Sequence, residues 1–307
     1  MLSADVLIPV YRPGKQLKML LDKLCTQSSP VNRIILMNTE ESCFPGGLTE
    51  EYENVEVHHL SKAEFDHGGT RDRGMRLASA DVVICMTQDA LPADAHLVEE
   101  LLKPFADQRV WAAYARQLPA DDCREVEKYT RSFNYPEESR IKGAEDLPEL
   151  GIKTFFCSNV CAAWRKDKYL ELGGFVTRTI FNEDMIYAGK LIRHGGRIAY
   201  CAEAKVVHSH NYSAVQQFHR NFDLAVSQTM HPEIFGGIRS ESEGIRLVKR
   251  SMAYCLRIRK PWLILQVVTQ SAGKLLGYKL GQRYEKLPRK LILWCTMNRT
   301  FWQGDRG

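Results

Sequence analysis

The sequence lacks the marks of several protein classes. Among its 307 residues no run approaches about eighteen uninterrupted apolar residues, so no transmembrane helix is predicted. The first residues, MLSADVLIPVYRPG, lack the basic region and the long apolar stretch of a signal peptide. The nine cysteines are an odd number without a CxxC pair, which argues against a disulfide scaffold or a zinc site. These absences predict a reduced, cytoplasmic protein.

Acidic residues are almost absent from one long segment. Between Gly244 and Arg299 there are 13 lysines and arginines but only one acid, Glu285. This segment carries a net charge of +12, and the remainder carries −7. Its apolar runs, split by Pro261 and Pro288, are typical of basic amphipathic helices on an anionic membrane surface. The alternative is that these helices pack on the body of the protein or on a second subunit.

Apolar segments of strand length alternate with helical patterns in the first part of the chain. We predict an open, mostly parallel sheet with helices on both faces, whose ligands bind beyond the carboxyl ends of the strands. The predicted strands are 4–10, 33–38, 55–60, 81–87 and 110–116, and the predicted helices are 14–26, 70–79 and 94–103. After a polar stretch at 121–150 we expect a strand at 155–164, a helix at 183–194, short strands at 198–200 and 205–208, and a helix at 212–229.

Two adjacent acids, Glu183 and Asp184, stand directly before a predicted helix. Acids in a first turn suit the helix dipole, and Asn182 is a good cap, so a purely structural role is open. Asp89 follows an apolar strand, where a carboxylate is well placed to hold a divalent cation. Its alternative role is to start the turn before Pro92.

Two further motifs carry basic groups. In DHGGTRDRG a glycine pair that includes Gly69 opens a predicted helix, and Arg71 and Arg73 follow in its first turn, which suits a diphosphate. A glycine turn with solvated arginines is the other interpretation. His208 and His210 point the same way from a strand end and could face a metal or a phosphate, although such histidines are often only hydrogen-bonded.

Taken in order, six segments resemble glycosyltransferase family 2, and more narrowly its bacterial rhamnosyltransferase branch. The segments are VLIPVYRP, DHGGTRDRG, TQDALP, SNVCAAWRKDKYLELGGF, FNEDMIYAGKL and VVHSHNYS. The resemblance covers roughly residues 4–230. It implies an α/β protein of the GT-A fold, with a nucleotide-binding half at 1–118, an acceptor half at 119–235 and a basic helical region at 236–307. It also implies inverting transfer from a nucleotide-diphosphate sugar, with L-rhamnose from dTDP-L-rhamnose as the expected donor, to a hydroxyl of a cell-surface glycan precursor.

The resemblance also implies roles for single residues. Asp184 matches the catalytic base, and Glu183 is expected to bind acceptor or sugar. Asp89 matches the second acid of the DxD motif, whose first acid is replaced here by Thr87. With His208, Asp89 is expected to hold Mg²⁺ or Mn²⁺. The expected substrate-binding residues are Pro9, Tyr11, Asn38, Glu40, Gly69, Arg71, Arg73, Gln88, Asn159 and His210.

Three other functions remain possible at this point. The enzyme could use another UDP- or dTDP-hexose. A sugar-1-phosphate nucleotidyltransferase would share the nucleotide site, but its Gly-rich loop is missing after the first strand, where this chain has Pro9-Val10-Tyr11. A non-catalytic nucleotide-sugar-binding or nucleic-acid-binding protein would not need the acid pair. We expect a lipid-linked or free glycan acceptor, an anionic membrane surface and possible self-association, and no nucleic acid.

Overall fold

The computed structural model describes residues 2–238 and 241–303, with the backbone alone at 241–243. The described residues form nine strands: β1 Ala4–Tyr11, β2 Arg33–Thr39, β3 Val55–Leu60, β4 Val82–Met86, β5 Leu91–Pro92, β6 Val110–Leu118, β7 Arg140–Lys142, β8 Cys161–Arg165 and β9 Arg197–Val207. They also form twelve α-helices: α1 Lys15–Cys25, α2 His67–Leu77, α3 Leu97–Leu102, α4 Glu125–Asn134, α5 Leu147–Leu150, α6 Lys166–Glu171, α7 Glu183–Arg193, α8 Ala214–Met230, α9 Pro232–Phe235, α10 Glu241–Arg257, α11 Leu263–Gly281 and α12 Arg289–Cys295.

The chain packs as two compact units. The first comprises residues 2–120, 135–177 and 183–208, and holds every strand described. The second comprises residues 121–134, 178–182 and the described part of 209–303, and is helical. The predicted domain boundaries at residues 118 and 235 stay predictions. In the structure, the packing groups the described chain from Ser209 onward with the C-terminal helices.

The first unit is built on one sheet with the strand order β3-β2-β1-β4-β8-β6-β9-β5, and β7 pairs with β9. The predicted parallel arrangement holds for β1 to β4. β8 is antiparallel to both β4 and β6, because the chain enters it from the edge at which β6 ends. The carboxyl ends of β1, β2 and β4 therefore share one edge with the start of β8.

Two predicted strands differ from the structure for local reasons. Residues 151–155 form a 3₁₀ turn, so the strand expected at 155–164 begins only at Cys161. The two short strands expected near residue 200 are one strand, β9, whose register against β6 shifts between Ala115 and Arg116. A bulge of this kind bends a strand and interrupts its alternation of buried and exposed residues, so the sequence pattern predicts two strands instead of one.

Helix α1 shows how the sheet obtains its core. Its residues Leu17, Leu20, Leu21 and Leu24 recur at helical spacing, and all four are buried. They join the apolar side chains of β1, β2 and β4 in one cluster. Burial of a side chain of this size stabilises the fold by about 1.5–3 kcal/mol.

The second unit is organised around close contact between α8 and α11. Gly273, Gly277 and Gly281 recur every four residues and form one stripe of α11. A Cβ atom on Gly277 would lie 2.1 Å from the carbonyl oxygen of Phe218, and the other two glycines meet α8 carbonyls at 2.4–2.5 Å. The absence of side chains along this stripe lets the two backbones touch.

Substitution by alanine should have opposite effects on stability at a glycine inside this contact and at a glycine outside it. Gly277→Ala should destabilise the protein by about 1–3 kcal/mol, because the methyl group forces α11 away from α8. Gly244→Ala in α10 meets no atom within 4 Å and should stabilise by up to about 1 kcal/mol through helix propensity. Urea unfolding of both variants measures the difference. Equal effects of the two substitutions would contradict the close packing.

Candidate active site

The adjacent acids lie at the first two positions of α7. Asn182, which was predicted to cap this helix, has a left-handed backbone with φ 75° instead of the extended conformation of a cap. That conformation is unfavourable for a residue other than glycine, although asparagine tolerates it best. The helix therefore begins abruptly with two carboxylates.

Glu183 is engaged with other protein groups. Its side chain is buried, and its Oε1 accepts hydrogen bonds from Arg71 Nη1 and Asn159 Nδ2, both at 3.1 Å. Arg71 is also buried and donates to the carbonyl oxygen of His67 at 3.0 Å. Both charges of this pair lie away from water, so each is stable only while the other is present.

Asp184 has a different environment. Its Oδ2 accepts from the backbone N–H of Asn159 at 2.9 Å, and its Oδ1 accepts from the N–H of Met185 at 2.7 Å. Withdrawal from water and the neighbouring Glu183 charge raise the pKa of Asp184 to about 7, against the lowering effect of these donors and of Arg71. Burial thus outweighs the favourable effect of the helix N-terminus on the ionised carboxylate. A carboxylate with a pKa near 7 can accept a proton at neutral pH.

Asn159 connects the two acids. Its side-chain Nδ2 binds Glu183, its backbone N–H binds Asp184, and its Oδ1 accepts from the indole N–H of Trp164 at 2.9 Å. Asn159 is almost fully buried. The structure thus brings together Asn159, Glu183 and Asp184 from two distant parts of the sequence.

A second cluster joins Asp89 and His208. The Nε2 atom of His208 lies 3.6 Å from Asp89 Oδ2, and its Nδ1 lies 3.1 Å from Oε1 of Gln117. An amide oxygen can only accept a hydrogen bond, so His208 carries its proton on Nδ1, which faces Gln117. The lone pair of His208 Nε2 then faces the Asp89 carboxylate. An imidazole nitrogen and a carboxylate oxygen held this way fit a divalent cation such as Mn²⁺ or Mg²⁺.

The two clusters are linked through one short segment. Oγ of Ser158 accepts from Gln117 Nε2 at 3.5 Å, and the next residue, Asn159, holds Asp184. In addition, the backbone N–H of Thr87 donates to the carbonyl oxygen of Val160 at 3.2 Å, which ties the loop that carries Asp89 to the same segment. The position of residues 158–160 therefore determines where the acid pair and the metal-type pair lie.

The predicted nucleotide residues lie at the carboxyl ends of β1, β2 and β4. Gln88 bonds both the N–H and the carbonyl oxygen of Tyr11, at 3.0 and 3.1 Å, so it joins β1 to the loop after β4. Pro9 is half-buried within β1. Asn38 is fully buried, and its Nδ2 bonds the Glu40 carbonyl oxygen at 3.1 Å.

Three buried polar atoms lie at this edge, and two of them belong to threonines that were not predicted to bind substrate. Among the described residues, Oδ1 of Asn38, Oγ1 of Thr39 and Oγ1 of Thr87 are buried without a hydrogen-bond partner. Buried polar groups are usually satisfied, so unpaired atoms at a ligand-binding edge point to a ligand. Thr39, Thr87 and Gln117 could have been found from their position at or next to the end of a strand.

The glycine-arginine motif differs from its prediction. Helix α2 begins at His67, three residues earlier than expected, because Asp66 caps it by accepting from the N–H of Gly69 at 2.6 Å. Arg71 and Arg73 therefore lie beyond the first turn, in which they were predicted to stand. Arg73 is exposed, whereas Arg71 pairs with Glu183.

The glycines of the motif serve the packing of the protein itself. A Cβ on Gly68 would lie 1.8 Å from the Val176 carbonyl oxygen and 3.4 Å from Glu183 Cβ. This close approach brings α2 to the start of α7. His210 belongs to the second unit, where its ring packs against Tyr212 with 5.2 Å between ring centres.

The strand edge, the acid pair and the Asp89–His208 pair together fit the site of a GT-A glycosyltransferase. The family model for glycosyl transferase family 2 matches residues 5–173, and the chain belongs to this family. It is an inverting glycosyltransferase. The predicted α/β GT-A fold with a helical C-terminal region is confirmed.

Curated relatives match almost the whole chain. It is 36% identical over 307 residues to the O-antigen chain rhamnosyltransferase RfbN of Salmonella typhimurium, which covers 99% of this chain and 97% of the relative. It is also 36% identical to the O-antigen chain rhamnosyltransferase WbaN of Salmonella anatum, over 98% and 96% of the two chains. The predicted resemblance to rhamnosyltransferases is confirmed.

Solved structures share the fold at low identity. The mannosyltransferase PcManGT from Pyrobaculum calidifontis, in complex with GDP-Man and Mn²⁺, has a TM-score of 0.56 at 16% identity, over 98% of this chain and 85% of that one. Residues 1–349 of S. aureus TarS, in complex with UDP-GlcNAc, have a TM-score of 0.51 at 14% identity, over 92% and 91%.

The geometry of Asp184 leads to a prediction with two measurements. Asp184→Asn should lower turnover at least about 10²-fold, because an amide cannot accept the proton. The wild-type kcat/KM should rise with pH and reach half its plateau near pH 7. Because the pKa of this carboxyl is higher in the folded than in the unfolded state, the free energy of unfolding of the wild type falls as the pH rises toward 7. The Asp184→Asn variant lacks this ionisable group and should therefore have a higher melting temperature than the wild type at pH 8.

The matched control is Asp167→Asn, the same change in the first turn of α6, where the acid is exposed and pairs with Arg165. It should leave both turnover and the pH profile unchanged. Wild-type turnover in Asp184→Asn would show that another group is the base.

Proposed function

We propose that this enzyme transfers L-rhamnose from dTDP-L-rhamnose, with inversion, to a hydroxyl of a cell-surface glycan precursor. The observation that carries the proposal is the 36% identity to two O-antigen chain rhamnosyltransferases over nearly the full length of all three chains. A transferase that uses another UDP- or dTDP-hexose is the alternative, since the low-identity structural relatives constrain the fold alone.

In this proposal Asp184 is the general base. It takes the proton of the acceptor hydroxyl while the acceptor oxygen attacks the anomeric carbon. The bond between that carbon and the diphosphate oxygen breaks, and the diphosphate leaves with the electron pair. The donors from Asn159 and Met185 orient the carboxylate and keep its pKa from rising further. Glu183 directly precedes this base in the chain. Through its contacts with Arg71 and Asn159 it holds the Asn159 side chain in place beside Asp184.

Asp89 and His208 are the residues that would hold a divalent cation, and His210 follows two residues later in the chain. Mg²⁺ or Mn²⁺ bound there supplies positive charge to the departing diphosphate. Gln117 orients His208 for this role. Exposed Arg73 is the arginine of its motif that remains available to the diphosphate, whereas the charge of Arg71 is shared with Glu183.

We further propose that the basic region holds the enzyme on the cytoplasmic face of an anionic membrane, as a peripheral protein. The face of α11 opposite to its glycine stripe carries Leu265, Val268, Leu275 and Leu276, with exposed fractions of 46–70%. Their spacing of three, seven and one residues places them on one side of the helix.

Basic residues flank this apolar face. Arg257, Arg259 and Lys260 precede α11, and Arg283 and Lys286 follow it. Each such charge near an anionic surface contributes about 1 kcal/mol. No described helix combines the length and the apolar character needed to cross a bilayer. A helix that lies in the interface needs one apolar side and basic flanks, and α11 has both.

The donor proposal is tested by nucleoside diphosphate release from a panel of donors. dTDP-L-rhamnose should be turned over fastest, against dTDP-glucose, UDP-glucose and GDP-mannose. Chelation should abolish turnover, and Mg²⁺ or Mn²⁺ should restore it. Asp89→Ala should lower it about 10²-fold or more, while Asp94→Ala, an exposed acid of the same loop region, should not. A faster second donor would reject rhamnose, and full activity after chelation would reject the metal.

The membrane proposal is tested by vesicle co-sedimentation. The enzyme should bind phosphatidylglycerol vesicles in low salt, and 0.5 M salt should weaken binding about tenfold or more, since screening removes the charge term. Leu265→Ser with Leu276→Ser should lower binding, whereas Met19→Ser, at an exposed apolar residue of α1, should not. Equal binding to neutral vesicles would contradict the proposal, and loss of a dimer in the double variant would favour self-association.

A further inference from the structure

Lys142 is a cation inside the first unit. It ends β7, its residue is 4% exposed, and its three hydrogen-bond partners are all uncharged oxygens. Nζ donates to the carbonyl oxygens of Phe156 at 2.7 Å and Lys153 at 3.0 Å, and to the Tyr114 hydroxyl at 3.3 Å. A buried ammonium without a carboxylate partner is costly, so a function has to be sought for it.

The two carbonyl groups that accept from Lys142 lie just before residues 158–160, the segment that contacts both clusters of the site. Lys153 lies in the 3₁₀ turn at 151–155, and Phe156 is the residue after that turn. Three residues further on, Asn159 donates its backbone N–H to Asp184. Between them, Ser158 contacts Gln117, which orients His208. A shift of this turn would move the donors of both clusters together.

We propose that Lys142 is a positioning residue that clamps the turn at Lys153 and Phe156 and so holds the Asn159 N–H against the Asp184 carboxylate. This inference rests on the proposed role of Asp184 as the base. It gives the buried charge a role, since an ionised donor makes stronger hydrogen bonds to carbonyl oxygens than a neutral one.

Several groups around Lys142 affect its charge. Burial is the main cause that lowers the pKa of Lys142 to about 7. Arg140 and Lys153 act in the same direction, whereas Cys157 and Asp146 oppose them. Tyr114 places its hydroxyl and its ring against the same ammonium, with 4.9 Å to the ring centre. The clamp is therefore strongest below neutral pH, and it weakens as the pH rises through 7 and the ammonium loses its proton.

The consequence for Asp184 has a defined direction. A backbone N–H that binds a carboxylate favours its ionised form. If the clamp is lost and this donor withdraws, the pKa of Asp184 rises, and the acid limb of kcat/KM moves to higher pH. The strand edge that binds the donor is held by other contacts, such as Gln88 with Tyr11, so KM for the nucleotide sugar should stay within about twofold.

The experiment compares three variants of the full-length enzyme. Lys142→Met removes the charge and the donor, Lys142→Gln keeps an N–H donor without the charge, and Lys62→Met removes an exposed lysine as the control. Transfer is measured between pH 5.5 and 9, together with donor KM and thermal unfolding at each pH. Lys142→Met should move the acid limb of kcat/KM up by about half a pH unit or more, which lowers kcat/KM at pH 7 about twofold or more.

Lys142→Gln should recover part of this loss, and Lys62→Met should match wild type. An unshifted limb in a folded Lys142→Met enzyme would overturn the proposal. A uniform loss of kcat at every pH, in proportion to a lower melting temperature, would do the same by showing a structural role. If Lys142→Met does not fold, the limb of Lys142→Gln decides. Wild-type turnover in Asp184→Asn would instead refute the base assignment, whatever the Lys142 variants show.

Discussion

The site depends on one electrostatic constraint: two adjacent carboxylates, Glu183 and Asp184, begin the same helix and are both largely withdrawn from water. Like charges this close oppose each other's ionisation, so each needs its own source of positive potential. Glu183 receives the Arg71 guanidinium, and Asp184 receives two backbone N–H groups. The division leaves Glu183 in an ion pair and leaves Asp184 with a pKa near 7. One acid thus has a structural partner and the other remains able to accept a proton.

Asn159 makes this division possible because its side chain and its backbone serve different acids. Its own position follows from the sheet, since Trp164 in β8 holds its amide oxygen and β8 pairs with β4. β4 in turn leads into the loop that carries Asp89. The metal-type pair and the acid pair are therefore not independent sites. Both are positioned by the start of β8, the strand that interrupts the parallel order of the sheet.

The sequence supports part of this and hides the rest for physical reasons. Helical and strand periodicity predict α1 and β1 to β4 well, because burial of one face leaves a repeating pattern. The acid pair and Asp89 were also recognisable, since the pair begins a helix and Asp89 lies in the loop after a strand. The partner of Arg71 was not, because an ion pair between α2 and α7 leaves no local pattern, and the cap at Asp66 moved the helix start. Lys142 was invisible for the same reason, as its partners are backbone carbonyls.

Helix α11 packs against α8 on one face and exposes apolar side chains on the other. Glycine every fourth residue gives a face that touches the α8 backbone, at a cost of about 1 kcal/mol of helix propensity per glycine. Close packing against α8 offsets that cost only while the three glycines face α8. This orientation of α11 determines which of its residues face outward. The outward side then carries leucines that stay exposed in the folded chain. A register fixed for packing thus presents the apolar face in one orientation, which is the property that a membrane-docking surface requires.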